Sequence, residues 1–126
     1  MVAPAVVRLF QELGIEVHEV HPGIEANRAG EGIEIDLLVV NEGILVAVEC
    51  KSKLMQEHVE EHLVRMEKLK RLLPSYRHHQ ALGAVAAMVM SDQVQQYAID
   101  QGFYVLCQSG EQIEISNPPG FSPRSW

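Results

Sequence analysis

Aromatic residues make up only 6% of this 126-residue chain, cysteines number two, and ten lysines and arginines face seventeen acids. Each shortage excludes something. Tyr97, Phe103 and Tyr104 are few and spread out, which gives little support to a platform on which successive bases stack. Cys50 and Cys107 are too few for a disulfide framework, and no CxxC pair occurs, so a reducing, cytoplasmic setting is the expectation. No stretch reaches the roughly 20 apolar residues that cross a bilayer, so no membrane is expected as a partner. The opening segment MVAPAVVRLF lacks a charged region followed by a long apolar run, which argues against a secretory signal. A net charge of −7 argues against indiscriminate nucleic-acid binding, which draws its affinity from counterion release at phosphates.

What is present is ordinary globular material. Hydrophobic residues are 47% and charged residues 21%, and the length suits one domain over residues 1–126 with a real core. Charge is uneven. Seven of the ten basic residues (Lys51, Lys53, Arg65, Lys68, Lys70, Arg71 and Arg77) fall between 51 and 77 beside four acids, a local excess of +3 that leaves −10 for the rest. Either a solvated helix face or one basic surface on an acidic body fits that pattern.

Periodicity supplies the architecture. Val6, Leu9, Phe10 and Leu13 recur at helical spacing before Gly14, and a short strand, GIEVHEVHPG, closes on a Pro-Gly turn. Residues 24–32 are polar and glycine-containing, which reads as a loop. Two strands follow, GIEIDLLVV and ILVAVECK, around Asn41-Glu42-Gly43. Met55, Val59, Leu63, Met66, Leu69 and Leu73 line one side of a helix that Pro74 ends. ALGAVAAMVM reads as a strand covered on both faces. Ser91 can cap a short helix, SDQVQQYAIDQ, and FYVLCQ and EQIEIS close the chain as strands before an irregular NPPGFSPRSW tail. The expectation is an α/β fold: a mixed β-sheet flanked by helices, with parallel crossovers near the end and a hairpin over 33–51.

The chemistry lies in that hairpin. Side chains alternate along a strand, which puts Glu34, Asp36, Leu38 and Val40 on one face and Leu45, Ala47, Glu49 and Lys51 on one face of the next strand. A two-residue turn at Glu42-Gly43 pairs Asn41 with Ile44, hence Asp36 with Glu49 and Glu34 with Lys51; a three-residue turn would throw the carboxylates apart. Charges at the end of a hairpin buried on both sides must be paired or bound to a cation. Two carboxylates suit Mg²⁺ or Mn²⁺, and a nearby lysine can orient a water. An ion-paired strand end, with Lys51 answering both acids and no metal, satisfies the same physics.

IEIDLLVVNEGILVAVECK resembles the strand pair of the PD-(D/E)XK nuclease superfamily, which includes restriction endonucleases and archaeal Holliday-junction resolvases. The resemblance covers residues 3–108, and the whole chain is similar to an uncharacterised bacterial branch of that superfamily. It implies a restriction-endonuclease-like core of order αβββαβαβ. It further implies that Asp36, Glu49 and the backbone carbonyl of Cys50 hold Mg²⁺ while Lys51 positions water. Ile35 stands where the name-giving proline would be. Family members often bring an acid from the first helix, and Glu12 is the residue in place for it; a solvated helix end is the alternative. Lys53, Arg65, Lys68 and Arg71 would contact a DNA backbone. The resemblance further implies a homodimer, which would offer two cut sites to a duplex.

Two further patterns carry less. His58-Val59-Glu60-Glu61-His62 matches an H-x-x-E-H zinc pattern, but no third ligand is evident and His62 falls within the apolar arc of its helix, as a packed histidine. Cys50 and Cys107 read as packed thiols. Two functions follow: a metal-dependent DNA phosphodiesterase, or a nuclease-like module that binds or assembles without cutting.

Overall fold

The computed structural model describes residues 3–126, which form one six-stranded sheet in the order β1 to β6 with helices on both faces. In chain order the elements are α1 (Ala3–Glu12), β1 (Glu19–Arg28), β2 (Glu31–Val40), β3 (Ile44–Lys53), α2 (Gln56–Leu72), β4 (Gln80–Val89), α3 (Asp92–Asp100), β5 (Tyr104–Ser109) and β6 (Gln112–Ile115). Strands β1–β2–β3 are antiparallel, β3–β4–β5 parallel and β5–β6 antiparallel. This is the α/β fold with a mixed, helix-flanked sheet that the sequence predicts, and it is consistent with a restriction-endonuclease-like core. No helix among the described residues is long and apolar enough to cross a membrane.

The sheet divides the core in two. On one face Val59, Met66, Leu69 and Leu72 of α2 and Ala98 of α3 pack over Leu38, Val40, Leu45, Ala47 and Val85. On the other, Val6, Leu9 and Phe10 of α1 pack over Val39, Val46, Val48 and Leu106. Strands β3 and β4 are therefore covered on both sides, which is why they read as continuous apolar runs. Ser91 caps α3, its Oγ accepting from Val94 N–H at 3.1 Å, as expected.

The expected loop at 24–32 is a strand pair instead. β1 runs to Arg28, through Pro22-Gly23, and β2 begins at Glu31. Polarity misled the reading because β1 is an edge strand with few buried side chains. An edge also tolerates Pro22, whose missing N–H removes no ladder bond from a neighbour. The predicted Pro-Gly turn is thus a kink within β1: Gly23 takes φ 64°, and the flanking pairs Pro22–Leu37 and Ile24–Ile35 leave Gly23 and Asp36 facing each other between them.

The tail has no regular element, yet it packs. Trp126 stacks on Phe103 at 5.2 Å between ring centroids, its backbone N–H bonds to Ala81 O, and the Arg124 backbone N–H bonds to Gly102 O. Gly102 has φ 91°, and a Cβ there would lie 2.4 Å from Cβ of Arg124. Gly102→Ala is expected to destabilise the fold by about 1–2 kcal/mol through the left-handed backbone alone. It should also lift the tail, seen as a red-shifted emission of Trp126, the single tryptophan.

Candidate metal centre

The β2–β3 register settles the first question the sequence posed. Leu37 pairs with Val48 and Val40 with Leu45, and Asn41 N–H bonds to Ile44 O at 2.9 Å. Continued by one residue, that register brings Asp36 opposite Glu49. The backbone ladder ends there, and Oδ2 of Asp36 accepts the Cys50 N–H at 2.8 Å. Within an extended strand the N–H and C=O of one residue point to the same side, so the Cys50 carbonyl is directed toward Asp36 as well.

Glu34 does not follow. The sequence places it on one face with Asp36, Leu38 and Val40, opposite Lys51. Instead Ile33 and Ile35 join the same core layer as Leu38 and Val40 while Leu37 and Val39 take the other, so the alternation changes phase between Ile35 and Asp36, where Gly23 kinks the neighbouring strand. Glu34 lines a groove of about 500 Å³ beside Glu25, Glu61, Arg65 and Lys68.

Glu49 is only 5% exposed, and its partner is a residue that sequence reasoning assigned elsewhere. Nη1 of Arg65 lies 2.8 Å from Oε2 of Glu49 and 2.7 Å from Nδ1 of His62. His62 is fully buried on α2, and its Nε2 reaches Ala47 O at 3.0 Å. A carbonyl only accepts and a guanidinium only donates. His62 is therefore neutral, with its proton on Nε2. One chain of contacts runs from the β3 backbone through His62, Arg65 and Glu49 to Asp36.

The electrostatics follow from burial. Desolvation, then the hydrogen bond with Asp36, raises the Glu49 carboxyl to about 7, and Arg65 opposes the shift without cancelling it. For Asp36, burial pushes upward, but the Glu49 hydrogen bond, the Cys50 N–H and the charges of Arg65 and Lys51 outweigh it and hold the group below its usual range. Near neutrality the pair shares a proton, with Asp36 the ionised member. Burial and the two carboxylates push the Cys50 thiol up to about 11, so it is protonated and packed rather than nucleophilic.

Burial, reinforced by Arg65, lowers His62 to about 4. A group with a depressed folded pKa prefers its neutral form in the fold. Its stabilising share is complete above the unfolded value near 6.5 and is lost as pH falls toward 4. Between pH 7 and pH 4 wild type should therefore lose up to about 3 kcal/mol of stability relative to His62→Leu, in urea unfolding curves at the two pH values.

The remaining residues are placed as follows. Lys51 is exposed and near enough to Asp36 and Glu49 for its charge to act on both. Glu12 is not brought to the pair: it is exposed on α1, on the opposite face of the sheet, beside Arg8 and Glu111 to Glu114. At about 100° per residue it lies roughly 120° round α1 from Val6, at the exposed margin of the stripe that Val6, Leu9 and Phe10 bury. Lys53 is exposed at the end of β3, Lys68 lies in the groove among Glu25, Glu34 and Glu61, and Arg71 pairs with Glu31. Much of the basic excess between 51 and 77 is thus met by local acids. His58 accepts the Met55 N–H through Nδ1, and with both His62 nitrogens taken the zinc pattern has no free pair of ligands. Among the described residues no three His, Cys, Asp or Glu side chains gather as a metal cluster.

No protein-family model matches the sequence, and no curated protein matches it. Among solved structures the chain is similar to a protein of unknown function, AF1548, with a TM-score of 0.56 and 18% identity over 79% of this chain and 53% of that one. Looser likenesses are a repair endonuclease from Pyrococcus abyssi (TM-score 0.48, 16% identity, 85% of this chain and 46% of that one) and the EndoMS–dsDNA2 complex (0.44, 15%, 85% and 45%). The chain spans about half the length of each. At such identities the likeness is one of fold.

Proposed function

We propose that the protein is a metal-dependent phosphodiesterase acting on DNA, with its centre at Asp36, Glu49 and the Cys50 carbonyl. One observation carries this reading: two carboxylates meet where the β2–β3 ladder ends, and the Cys50 backbone is turned toward them. Two carboxylates and a carbonyl are hard oxygen donors, which fit Mg²⁺ or Mn²⁺, and a site with no third side-chain ligand among the described residues fits an ion that keeps several waters. The resemblance of the hairpin sequence to PD-(D/E)XK nucleases supports the same assignment.

When bound, the ion would supply Lewis acidity toward the scissile phosphate. Asp36 and Glu49 would hold it where the β2–β3 ladder ends. Lys51, exposed beside them, would orient the attacking water. The Arg65 contact keeps the Glu49 carboxylate in one rotamer. Lys53, beyond Lys51 on β3, offers a cation to the phosphate backbone.

A second reading, a nuclease-like module that binds without cutting, draws on one observation: Glu49 already has a cation, Arg65, at 2.8 Å. Mn²⁺ titration calorimetry on wild type and Asp36→Ala, followed by plasmid and branched-DNA assays with the same pair, separates the two. Uptake and cleavage that both vanish in the variant are the expected result. No uptake by wild type at millimolar Mn²⁺ would leave the binding module standing.

A further inference from the structure

Burying an imidazole on a core-facing helix position is unfavourable unless both nitrogens are satisfied, and a leucine of similar size would fill that space without polar atoms. His62 is fully buried, between α2 and the sheet, with its ring 5.0 Å from that of Phe103. Both nitrogens are used, and in opposite senses. Nε2–H donates to Ala47 O, on the same strand as Glu49 and two residues before it; Nδ1 accepts from Arg65. The same Nη1 of Arg65 that donates to His62 reaches Oε2 of Glu49. Arg65 is a long side chain with several rotors, largely buried at an edge of the groove. The fixed acceptor three residues earlier on α2 selects the rotamer that reaches Glu49.

We infer that His62 is a positioning residue for the metal centre, fixing the Arg65 guanidinium so that one oxygen of Glu49 is held and the other is left toward Asp36. This rests on the metal-site reading above. Groups that orient ligating carboxylates from behind typically change metal affinity by about 10- to 100-fold when removed. His62 hydrogen-bonds to neither carboxylate, and its positioning effect on them passes through Arg65.

The test is Mn²⁺ affinity by calorimetry on folded protein, checked first by circular dichroism. His62→Leu should weaken Mn²⁺ binding about 10-fold or more. His62→Gln, which keeps one donor and one acceptor, should restore it to near wild type. In an Arg65→Ala background, adding His62→Leu should change the affinity no further. If His62→Leu does not fold, His62→Asn, too short to reach both partners, takes its place. Affinity unchanged or tighter in His62→Leu overturns the proposal, as does an equal further loss in the Arg65→Ala background, which would mark a purely structural role. Absence of Mn²⁺ uptake by wild type overturns the metal-site reading and this inference with it.

Discussion

Replacing Lys51 with methionine is expected to leave Mn²⁺ uptake within about threefold of wild type while lowering DNA cleavage by about 10²- to 10⁴-fold. Methionine keeps an unbranched apolar stem and removes only the charge. Lys51 is exposed, so its loss opens no cavity, and it reaches the two carboxylates through charge rather than by contact. That separates it from Asp36→Ala, which should lose uptake and cleavage together. Equal cleavage by Lys51→Met would show that the lysine does not orient water. A collapse of Mn²⁺ uptake in that variant would instead assign Lys51 to holding the carboxylates in place.

Gly83→Val is expected to be the most damaging single change to stability, by more than about 3 kcal/mol. Gly83 lies on β4 beneath α2, paired with Ala47 of β3. A single Cβ there would meet Cε1 and Cδ1 of Phe103 at 2.5 and 2.7 Å and Sδ of Met66 at 3.4 Å. The Phe103 ring cannot step aside, because His62 and Trp126 flank it. Urea unfolding measures the loss directly. Phe103→Leu in the same chain should return part of it, since the clash is with ring atoms. An additive double variant would mean that the strain lies in the backbone instead.

The two predictions draw on different kinds of legibility. β4 is plain in the sequence because seven consecutive residues from Ala81 to Ala87 are buried and all but one are apolar. α2 is plain because Val59, Met66 and Leu69 recur with the helical period. Asn41-Glu42-Gly43 narrowed the β2–β3 register to two, and the two-residue turn is the one formed, with Asn41 Oδ1 accepting from Gly43 and Ile44 N–H. Residues 24–32 were illegible as strand because an edge strand with both faces half in water has no apolar stripe to betray it. Glu34 was misplaced for a related reason: alternation predicts a face only while the strand stays regular, and a left-handed Gly23 on the neighbouring strand ends that regularity.

Arg65 is the sharper case. A signal existed: His62 and Arg65 stand three apart on the helix that follows the Glu-x-Lys strand, with His62 in its apolar arc. Spacing along one helix shows that the two can touch. It does not show what lies across from them. The order of elements and the sheet's parallel and antiparallel halves follow from the sequence, and it admits the pairing of Asp36 with Glu49, because these depend on period and turn length, which are local. The partner of Glu49, the exclusion of Glu12 and the face taken by Glu34 depend on how α1 and α2 dock on opposite sides of the sheet and where it kinks. Those are contacts between residues far apart in the chain, and only the packed structure brings them together.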